Sequence, residues 1–202
     1  MTMPKMKGKK AIPLLNNLRK IDPNVRWEET FDWLFLPKSN ERLKQETQIL
    51  KALQEDCRQN KDQFSNNKKK CRCEDIYSQD ERIKGITRKL EFDFYLPKFN
   101  LAIEFDELQH FTHERQLTFE YYPDNGFSYD VSRWQELCSM GKNDPDPPCR
   151  DWQRAFRDVV RDLRARENGL PLLRFYVKEF DEKAFKEMET LDKLLNEIQK
   201  TT

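Results

Sequence analysis

The stretch EFDFYLPKFNLAIEFDELQHF, residues 91–111, constrains the fold more than any other part of the chain. Apolar and aromatic residues alternate with polar ones on both sides of PKFN, residues 97–100. Alternation with a period of two is typical of a β-strand with one buried face. A short break between two such runs is typical of a hairpin loop. The sequence therefore predicts two strands, residues 89–96 and 100–106, joined as a hairpin.

Three carboxylates fall on one face of this predicted hairpin. If PKFN forms the loop, Leu96 pairs with Leu101. Counting back along both strands then places Asp93 opposite Glu104, and Asp106 follows on the same face. Like charges that face each other across an antiparallel pair are destabilising. A shared proton, a nearby arginine or a divalent cation would each offset the repulsion; a solvent-exposed polar edge is the alternative that needs no site.

Helical periodicity predicts three helices: one from Ser39 to about residue 53, one over residues 150–167, and a closing amphipathic one over 181–200. Ser39 or Asn40 would cap the first helix. A short apolar strand over 170–177 lies between the other two. The order helix, strand, strand, helix, strand, helix predicts an α/β or α+β sandwich with a mixed sheet.

Composition places this fold in a hydrophilic globular protein. Apolar residues make up 37% of the 202 residues and charged ones 36%, but 14 Phe, 6 Tyr and 4 Trp suffice for an aromatic core. No apolar run is long enough to span a membrane, and the basic N-terminus lacks the apolar region of a signal peptide. The odd number of cysteines, 5, predicts a reducing intracellular setting, either the cytoplasm or, in a eukaryotic or viral source, the nucleus.

Several segments together resemble the PD-(D/E)XK nuclease superfamily. FDFYLPKFNLAIEFDELQHF is similar to its core, most closely to the branch with an E-x-D-x-x-Q-H motif, which includes restriction-like and homing-type endonucleases and is related to very-short-patch-repair nucleases. ETQILKAL, residues 46–53, resembles the family's first core helix. FRDVVRDLRARENGLPLLRF, residues 156–175, resembles its closing helix and strand. The resemblance implies a restriction-endonuclease-like core with a mixed central β-sheet flanked by helices.

The same resemblance implies a metal-dependent endonuclease that hydrolyses DNA phosphodiester bonds. Asp93 and Glu104 would be the core ligands of Mg²⁺, or alternatively of Mn²⁺. The main-chain carbonyl of Phe105 would complete the site. Glu46 would reach in from the first helix as an additional ligand, with Glu41 as the alternative.

Two positions depart from the family pattern. The usual lysine would stand two residues after Glu104, where this chain has Asp106, and Glu107 stands where the branch commonly has glycine. The lysine's task would pass to Gln109, to His110 or to an arginine of the 150–167 helix. His110 would either take a proton from the attacking water or donate one to the leaving oxygen. The predicted catalytic residues are Asp93, Glu104, Asp106, Gln109 and His110.

Basic residues concentrate locally although the net charge is only +1. They lie in residues 1–26, in KKKCR at 68–72, and along the 150–167 helix, where Arg157 and Arg161 are the candidates for the missing lysine's role. Such patches hold phosphates or are simply solvated. The predicted nucleic-acid contacts are Arg154, Arg157, Arg161, Lys68, Lys69 and Lys70.

The predicted organisation has a basic arm and aromatic segment (1–38), a nuclease-like core (39–180) and a C-terminal helix packed on it (181–202). The core carries insertions at about 56–85 and 112–149. The aromatic residues of the second insertion would either stack on bases or cap the sheet.

Partners and further ligands follow from the same features. The predicted partner is DNA, together with a second copy of the chain or a larger DNA-processing complex. The cysteines favour free thiols, with a structural zinc as the less favoured alternative because C-x-C is not the usual zinc spacing. A nucleic-acid-binding protein or complex subunit with a degenerate nuclease core is the alternative function. A protein whose acids pair only with the arginine-rich helix is a third.

Overall fold

A mixed β-sheet of 4 strands with helices packed around it forms the centre of the molecule. The structure is a computed structural model that describes residues 12–38, 40–60, 89–141, 150–177 and 195–200. The fold is α+β, in agreement with the predicted class. No helix within these residues is both long enough and apolar enough to cross a membrane.

The strand order in the sheet follows the chain. The strands are β1 (Arg26–Glu29), β2 (Phe92–Leu96), β3 (Leu101–Asp106) and β4 (Leu172–Tyr176). The β1–β2 and β2–β3 pairs are antiparallel, whereas β3 and β4 are parallel. A parallel pair requires a long crossover connection, and here it contains the helices that cover the site.

The register of the β2–β3 hairpin is the predicted one. Leu96 pairs with Leu101, and the next pairs follow in step. Residues Pro97–Phe99 form a 3₁₀ turn, closed by Asn100 in the left-handed conformation at φ 47°. The first strand of the hairpin, β2, begins at Phe92, whereas the sequence predicted a start at residue 89.

The described part of the chain contains five α-helices in addition to the helical residues 195–200. They are α1 (Ile12–Ile21), α2 (Lys44–Asn60), α3 (His113–Phe119), α4 (Val131–Ser139) and α5 (Arg150–Glu167). The last of these has the bounds that the sequence predicted.

The start and the end of α2 correct the prediction. The helix begins at Lys44, not near Ser39, because the Glu46 carboxylate accepts a hydrogen bond from the N–H of Leu43 and so closes the first turn. Its last turns, up to Asn60, extend into the region predicted to be a loop.

Two N-terminal elements were not predicted. The helix α1 buries Leu14 and Leu18 against the sheet, whereas the sequence indicated only a basic arm there, with no helix. The aromatic segment, predicted as a short helix or a wall of the core, begins with β1 and continues into such a wall, where Phe31 stacks on Trp33. A strand of 4 residues that includes Glu28 at φ 51° is too short to show a clear alternation.

The alternation of β3 directs its side chains to two different helical layers. Leu101 and Ile103 pack with α1 and with Ile198 from the helical residues 195–200. Residues 181–194 lie outside the described part, so the docking of a C-terminal helix over 181–202 stays a prediction. Ala102 packs in the core that contains α2 and α5. Glu104 and Asp106 share the face of Ala102 and therefore point towards α5.

Candidate active site

The two carboxylates that were predicted to face each other do lie side by side. The N–H of Asp93 donates to Oε1 of Glu104 at 3.3 Å, and the N–H of Phe105 donates to Oδ2 of Asp93 at 2.8 Å. Glu104 is buried and Asp93 is half-buried. The pair thus sits where the buried face of the hairpin meets solvent.

Burial makes it costly for both carboxylates to be ionised. It raises the pKa of Glu104 to about 8, although Arg161 acts in the opposite direction. Burial also raises the pKa of Asp93, against the N–H of Phe105 and the charge of Arg161, which lower it. The positive charge available within the protein therefore does not fully compensate this pair.

The donor set fits a hard divalent cation. One oxygen of each carboxylate, Oδ1 of Asp93 and Oε2 of Glu104, accepts no hydrogen bond from the described residues. Among those residues no group of 3 or more His, Cys, Asp and Glu side chains is arranged to hold a metal ion. Two carboxylates are still sufficient for Mg²⁺, which keeps several waters and often binds through one or two carboxylates plus phosphate oxygens.

Helix α5 supplies the groups that surround the pair. Nε of Arg161 lies 3.4 Å from Oε1 of Glu104 and donates to the carbonyl of Glu91 at 2.9 Å. Arg161 also reaches Oδ1 of Asp158, one turn earlier on the helix, at 3.3 Å. Oδ2 of Asp158 lies 2.8 Å from Nδ1 of His110. A single row of contacts therefore links the carboxylate pair to His110.

Asp106 is engaged in a different, deeper contact. Nη1 of Arg174 donates to both of its oxygens, at 2.8 and 2.9 Å, and the indole N–H of Trp134 donates to one of them at 2.7 Å. Asp106 and Arg174 are both buried. Asp106, predicted as a catalytic residue, thus serves as the counter-ion of an arginine from β4.

The aromatic insertion closes over this ion pair. Asp162 of α5 binds Nε of Arg174 at 2.9 Å and also accepts hydrogen bonds from the hydroxyl groups of Tyr122 and Tyr129, at 2.6 and 2.8 Å. Arg115 of α3 contacts the same carboxylate. Since the tyrosine hydroxyls point inwards, these two aromatic side chains cap the sheet, and they do not form an exposed stacking surface.

These contacts form one buried charge network, in which carboxylates outnumber guanidinium groups. The charges of Arg174 and Arg115 hold the pKa of Asp162 below its usual range even though burial alone would raise it. Asp93 and Glu104 are the carboxylates of the network whose pKa values burial raises above their usual range. The network consists of Asp93, Glu104, Asp106, His110, Arg115, Asp158, Arg161, Asp162 and Arg174.

Glu46 lies outside this network. Its two oxygens accept hydrogen bonds from Nε and Nη2 of Arg164, at 2.7 and 3.0 Å, and its side chain is fully buried. The predicted metal ligand therefore joins α2 to α5. The alternative, Glu41, is exposed and accepts a hydrogen bond from the N–H of Lys38.

Removing the partner of Glu46 should be costly. We expect Arg164→Met to lower the free energy of unfolding by about 3–5 kcal/mol, because it leaves a buried carboxylate without a counter-ion. The double variant Glu46→Gln/Arg164→Met should recover most of this loss, since glutamine can still accept the hydrogen bond from Leu43. Urea denaturation measures both. A loss below about 1 kcal/mol in the single variant would contradict the assignment.

The other predicted site residues have local partners. The side-chain amide of Gln109 donates a hydrogen bond to Glu107. The main-chain carbonyl of Gln109 accepts one from Arg154, which also binds Asp151. Arg157 is a half-buried residue of α5. The arginines of α5 therefore do not form an open cationic strip, because the guanidinium groups of Arg154 and Arg161 form hydrogen bonds within the protein. Lys68, Lys69 and Lys70 lie outside the described residues.

Two cysteines are described, and both are buried free thiols. Burial raises the pKa of Cys138 to about 12, which opposes the thiolate form that zinc requires. Cys57 lies in the core between α2 and α5. Cys71, Cys73 and Cys149 fall outside the described residues, so the predicted alternative of a structural zinc stays a prediction.

The sequence reasoning missed most of the network around Arg174. One signal was available: Arg174 interrupts the apolar run LPLLRFYV, and a charged residue in a buried strand needs a partner. Asp158 and Asp162 lie one turn apart beside the apolar stripe of α5, which puts both on the sheet side. No comparable feature of the sequence indicated that Arg115 and the two tyrosines bind Asp162.

Comparison with known proteins adds no assignment. No protein family, curated protein or solved structure matched the chain. The geometry of the site and the resemblance of its motifs therefore carry the functional conclusion.

Proposed function

We propose that this protein is a metal-dependent endonuclease that hydrolyses the phosphodiester bonds of DNA. The observation that carries the proposal is the pair of adjacent carboxylates, Asp93 and Glu104, whose ionisation the protein itself does not balance. Arg161 lies beside Glu104, and a partly exposed histidine, His110, is linked to that arginine through Asp158. Carboxylate oxygens, a guanidinium group and an imidazole linked in this way suit hydrolysis of a phosphate ester.

Asp93, Glu104 and the main-chain carbonyl of Phe105 would hold Mg²⁺ or Mn²⁺. When bound, the cation would polarise the scissile phosphate and lower the pKa of a bound water. The mixed sheet with helices around it supports the proposed restriction-endonuclease-like core. Glu46 is left out of the proposed ligands because Arg164 occupies both of its oxygens.

The side chains of the site have separate tasks in this proposal. His110 transfers a proton at its outward nitrogen, Nε2, since Asp158 holds Nδ1. Arg161 stabilises negative charge on the phosphate, because about a fifth of its side chain, 18%, remains accessible beside Glu104. Asp106 fixes Arg174 and so maintains the end of β3. A second copy of the chain, or a larger complex, would be needed for cutting both strands at one position.

Plasmid cleavage tests the proposal. We expect the protein to nick or linearise supercoiled DNA with Mg²⁺ or Mn²⁺, and EDTA should abolish the reaction. Asp93→Asn should reduce the rate by about a thousandfold or more while keeping the hydrogen bond from Phe105. The control is Glu55→Gln, which changes an exposed carboxylate on α2 and should keep the full rate. Cleavage that persists in EDTA, or in Asp93→Asn, would contradict the proposal.

A binding protein with a degenerate nuclease core is the second candidate. The short distance between Arg161 and Glu104 favours it, because an arginine can itself replace a cation beside the carboxylates. In that case the protein would bind DNA with a steep dependence on salt and would bind no Mg²⁺. Calorimetry of Mg²⁺ binding to the wild type and to Asp93→Asn separates the two functions.

A further inference from the structure

Asp158 contacts both His110 and Arg161, two of the groups that would act on the substrate. It is buried, and its two oxygens bind two different partners: Oδ2 lies 2.8 Å from Nδ1 of His110, and Oδ1 accepts from Nη1 of Arg161 at 3.3 Å. It also lies 3.9 Å from Nη2 of Arg174. None of its own atoms faces the opening of the site, so it can act only through the residues it holds.

The contacts of His110 determine which way the ring is turned. Nδ1 points to Asp158 and lies 3.5 Å from Oδ1 of Asp106. The side chain retains 20% of its accessible surface, and no described residue forms a hydrogen bond with Nε2. The ring is therefore anchored by its inner nitrogen, and the outer nitrogen is the one that can meet a substrate.

Charged groups from every packed strand and from α5 face this histidine. The negative ones dominate its immediate contacts, whereas the two arginines lie farther away and each binds a carboxylate. They are Asp158 from α5, Asp106 from β3, Arg174 from β4 and Asp93 from β2, while Arg161 of α5 reaches Asp158.

We propose that Asp158 is a positioning residue that holds His110 as an imidazolium with Nε2–H facing outwards, so that His110 donates a proton to the leaving oxygen. The proposal rests on the proposed function and decides between the two directions of proton transfer that the sequence left open. It assigns to Asp158 a second task, which is to place Arg161 beside Glu104.

The electrostatic balance around His110 supports this direction. Burial alone would lower the pKa of His110, but Asp158 and Asp106 outweigh burial and raise it. Burial alone would likewise raise the pKa of Asp158, but His110 and Arg174 hold it well below its usual range. Both shifts favour the imidazolium–carboxylate form of the pair, and a protonated histidine cannot accept a proton from water.

The step balances without any further reactant. The oxygen of a water molecule forms a bond to phosphorus, and that water releases its proton to solvent. The bond between phosphorus and the leaving oxygen breaks, and its electron pair stays on that oxygen. The leaving oxygen takes the proton from Nε2 of His110, which is then reprotonated from solvent.

The proton affinity of His110 can be measured directly because the chain has only 2 histidines. In ¹H–¹⁵N spectra of the wild type, we expect His110 to titrate above the usual histidine range. Asp158→Asn keeps the shape and a hydrogen-bond acceptor but removes the charge, so the proton affinity of His110 should fall about tenfold or more.

The reciprocal variant is the matched control. Asp56→Asn, which removes the carboxylate 3.3 Å from the other histidine, should leave the titration of His110 unchanged. An unaltered titration of His110 in folded Asp158→Asn would overturn the positioning role, whatever the protein's activity.

A substrate with a sulfur atom in place of the leaving oxygen tests the donor role. Thiolate leaves without protonation, so a histidine that only donates a proton becomes dispensable. We expect His110→Gln and Asp158→Asn to lose about a hundredfold or more in rate on ordinary DNA, and to recover most of it on the bridging phosphorothiolate. No recovery would overturn the donor role.

The failure of the two proposals can be told apart. If the wild type cleaves neither substrate, the proposed function and the donor role fall together, while the titrations still decide the role of Asp158. If it cleaves both, the alkaline loss of activity should move to lower pH in Asp158→Asn. If activity is lost at the same alkaline pH in Asp158→Asn as in the wild type, the donor role alone is overturned.

Discussion

Glu104→Gln is expected to abolish cleavage and, at the same time, to stabilise the metal-free protein at alkaline pH. The two effects have one cause. Glu104 is buried beside Asp93, and in the absence of a cation its pKa is raised from 4.5 to about 8. The folded state therefore prefers the neutral form of Glu104. The contribution of this neutral form to stability is fully present below pH 4.5 and is lost as the pH rises through about 8.

The size of this effect follows from the same two values. Ionising Glu104 above pH 8 costs the folded state roughly 4–5 kcal/mol relative to the unfolded chain. Glutamine does not ionise, can still accept the hydrogen bond from Asp93, and can donate one to the Asp93 carboxylate. The variant should therefore be more stable than the wild type at alkaline pH by up to that amount, and the difference should vanish near pH 4.

Thermal unfolding across pH, with and without Mg²⁺, measures this result. Mg²⁺ should raise the melting temperature of the wild type most at alkaline pH and should have little effect on Glu104→Gln. Glu55→Gln is again the control and should behave as the wild type in every condition. If Glu104→Gln is no more stable than the wild type at alkaline pH, or if it still cleaves DNA, the interpretation of the site is wrong.

Arg174→Met should cause the largest loss of stability of any single substitution considered. The side chain of Arg174 is 1% exposed and forms hydrogen bonds with Asp106 and Asp162. Removing it leaves two buried carboxylates short of a counter-ion. The expected cost is at least about 4–5 kcal/mol, which is at the top of the usual range for point substitutions.

Tryptophan fluorescence, measured in a background where the other 3 tryptophans are replaced by phenylalanine, gives a local reading of this change, since the indole N–H of Trp134 binds Asp106. We expect an altered emission together with the lower midpoint in urea. Arg26→Met is the matched control: its ion pair with Glu29 is exposed at the edge of the sheet and should contribute about 0–1 kcal/mol. A loss below about 2 kcal/mol for Arg174→Met would show that the charge network is not what holds the insertion in place.

The sequence was sufficient for the elements with a strong period. The alternation around PKFN predicted the β2–β3 hairpin with its register, and the stripe along α5 predicted both ends of that helix. Gly169, at φ 62°, marked the end of the helix because glycine adopts the left-handed conformation without strain. In contrast, β1 is too short to show a period, and its place in the sheet depends on pairing with β2.

Prediction of the site succeeded where contacts are local in sequence and failed where they are distant. Asp93 and Glu104 could be placed together because a short loop joins their strands. Glu46 and Arg164 come from helices far apart in the chain, and the sequence alone does not show that they meet. The same holds for Asp106, whose partner Arg174 lies on the parallel neighbouring strand.

The parallel pairing of β3 with β4 also sets the order in which a newly made chain can fold. Asp106 and its neighbour Tyr176 are separated by about 70 residues. At about 5–20 residues per second, the ribosome needs roughly 4–14 seconds to make that stretch. During this time the edge of β3 that later pairs with β4 has no partner strand. The acidic hairpin also emerges before Arg161 and Arg174 have been made. The carboxylate pair thus reaches its final surroundings only after β4 has left the ribosome.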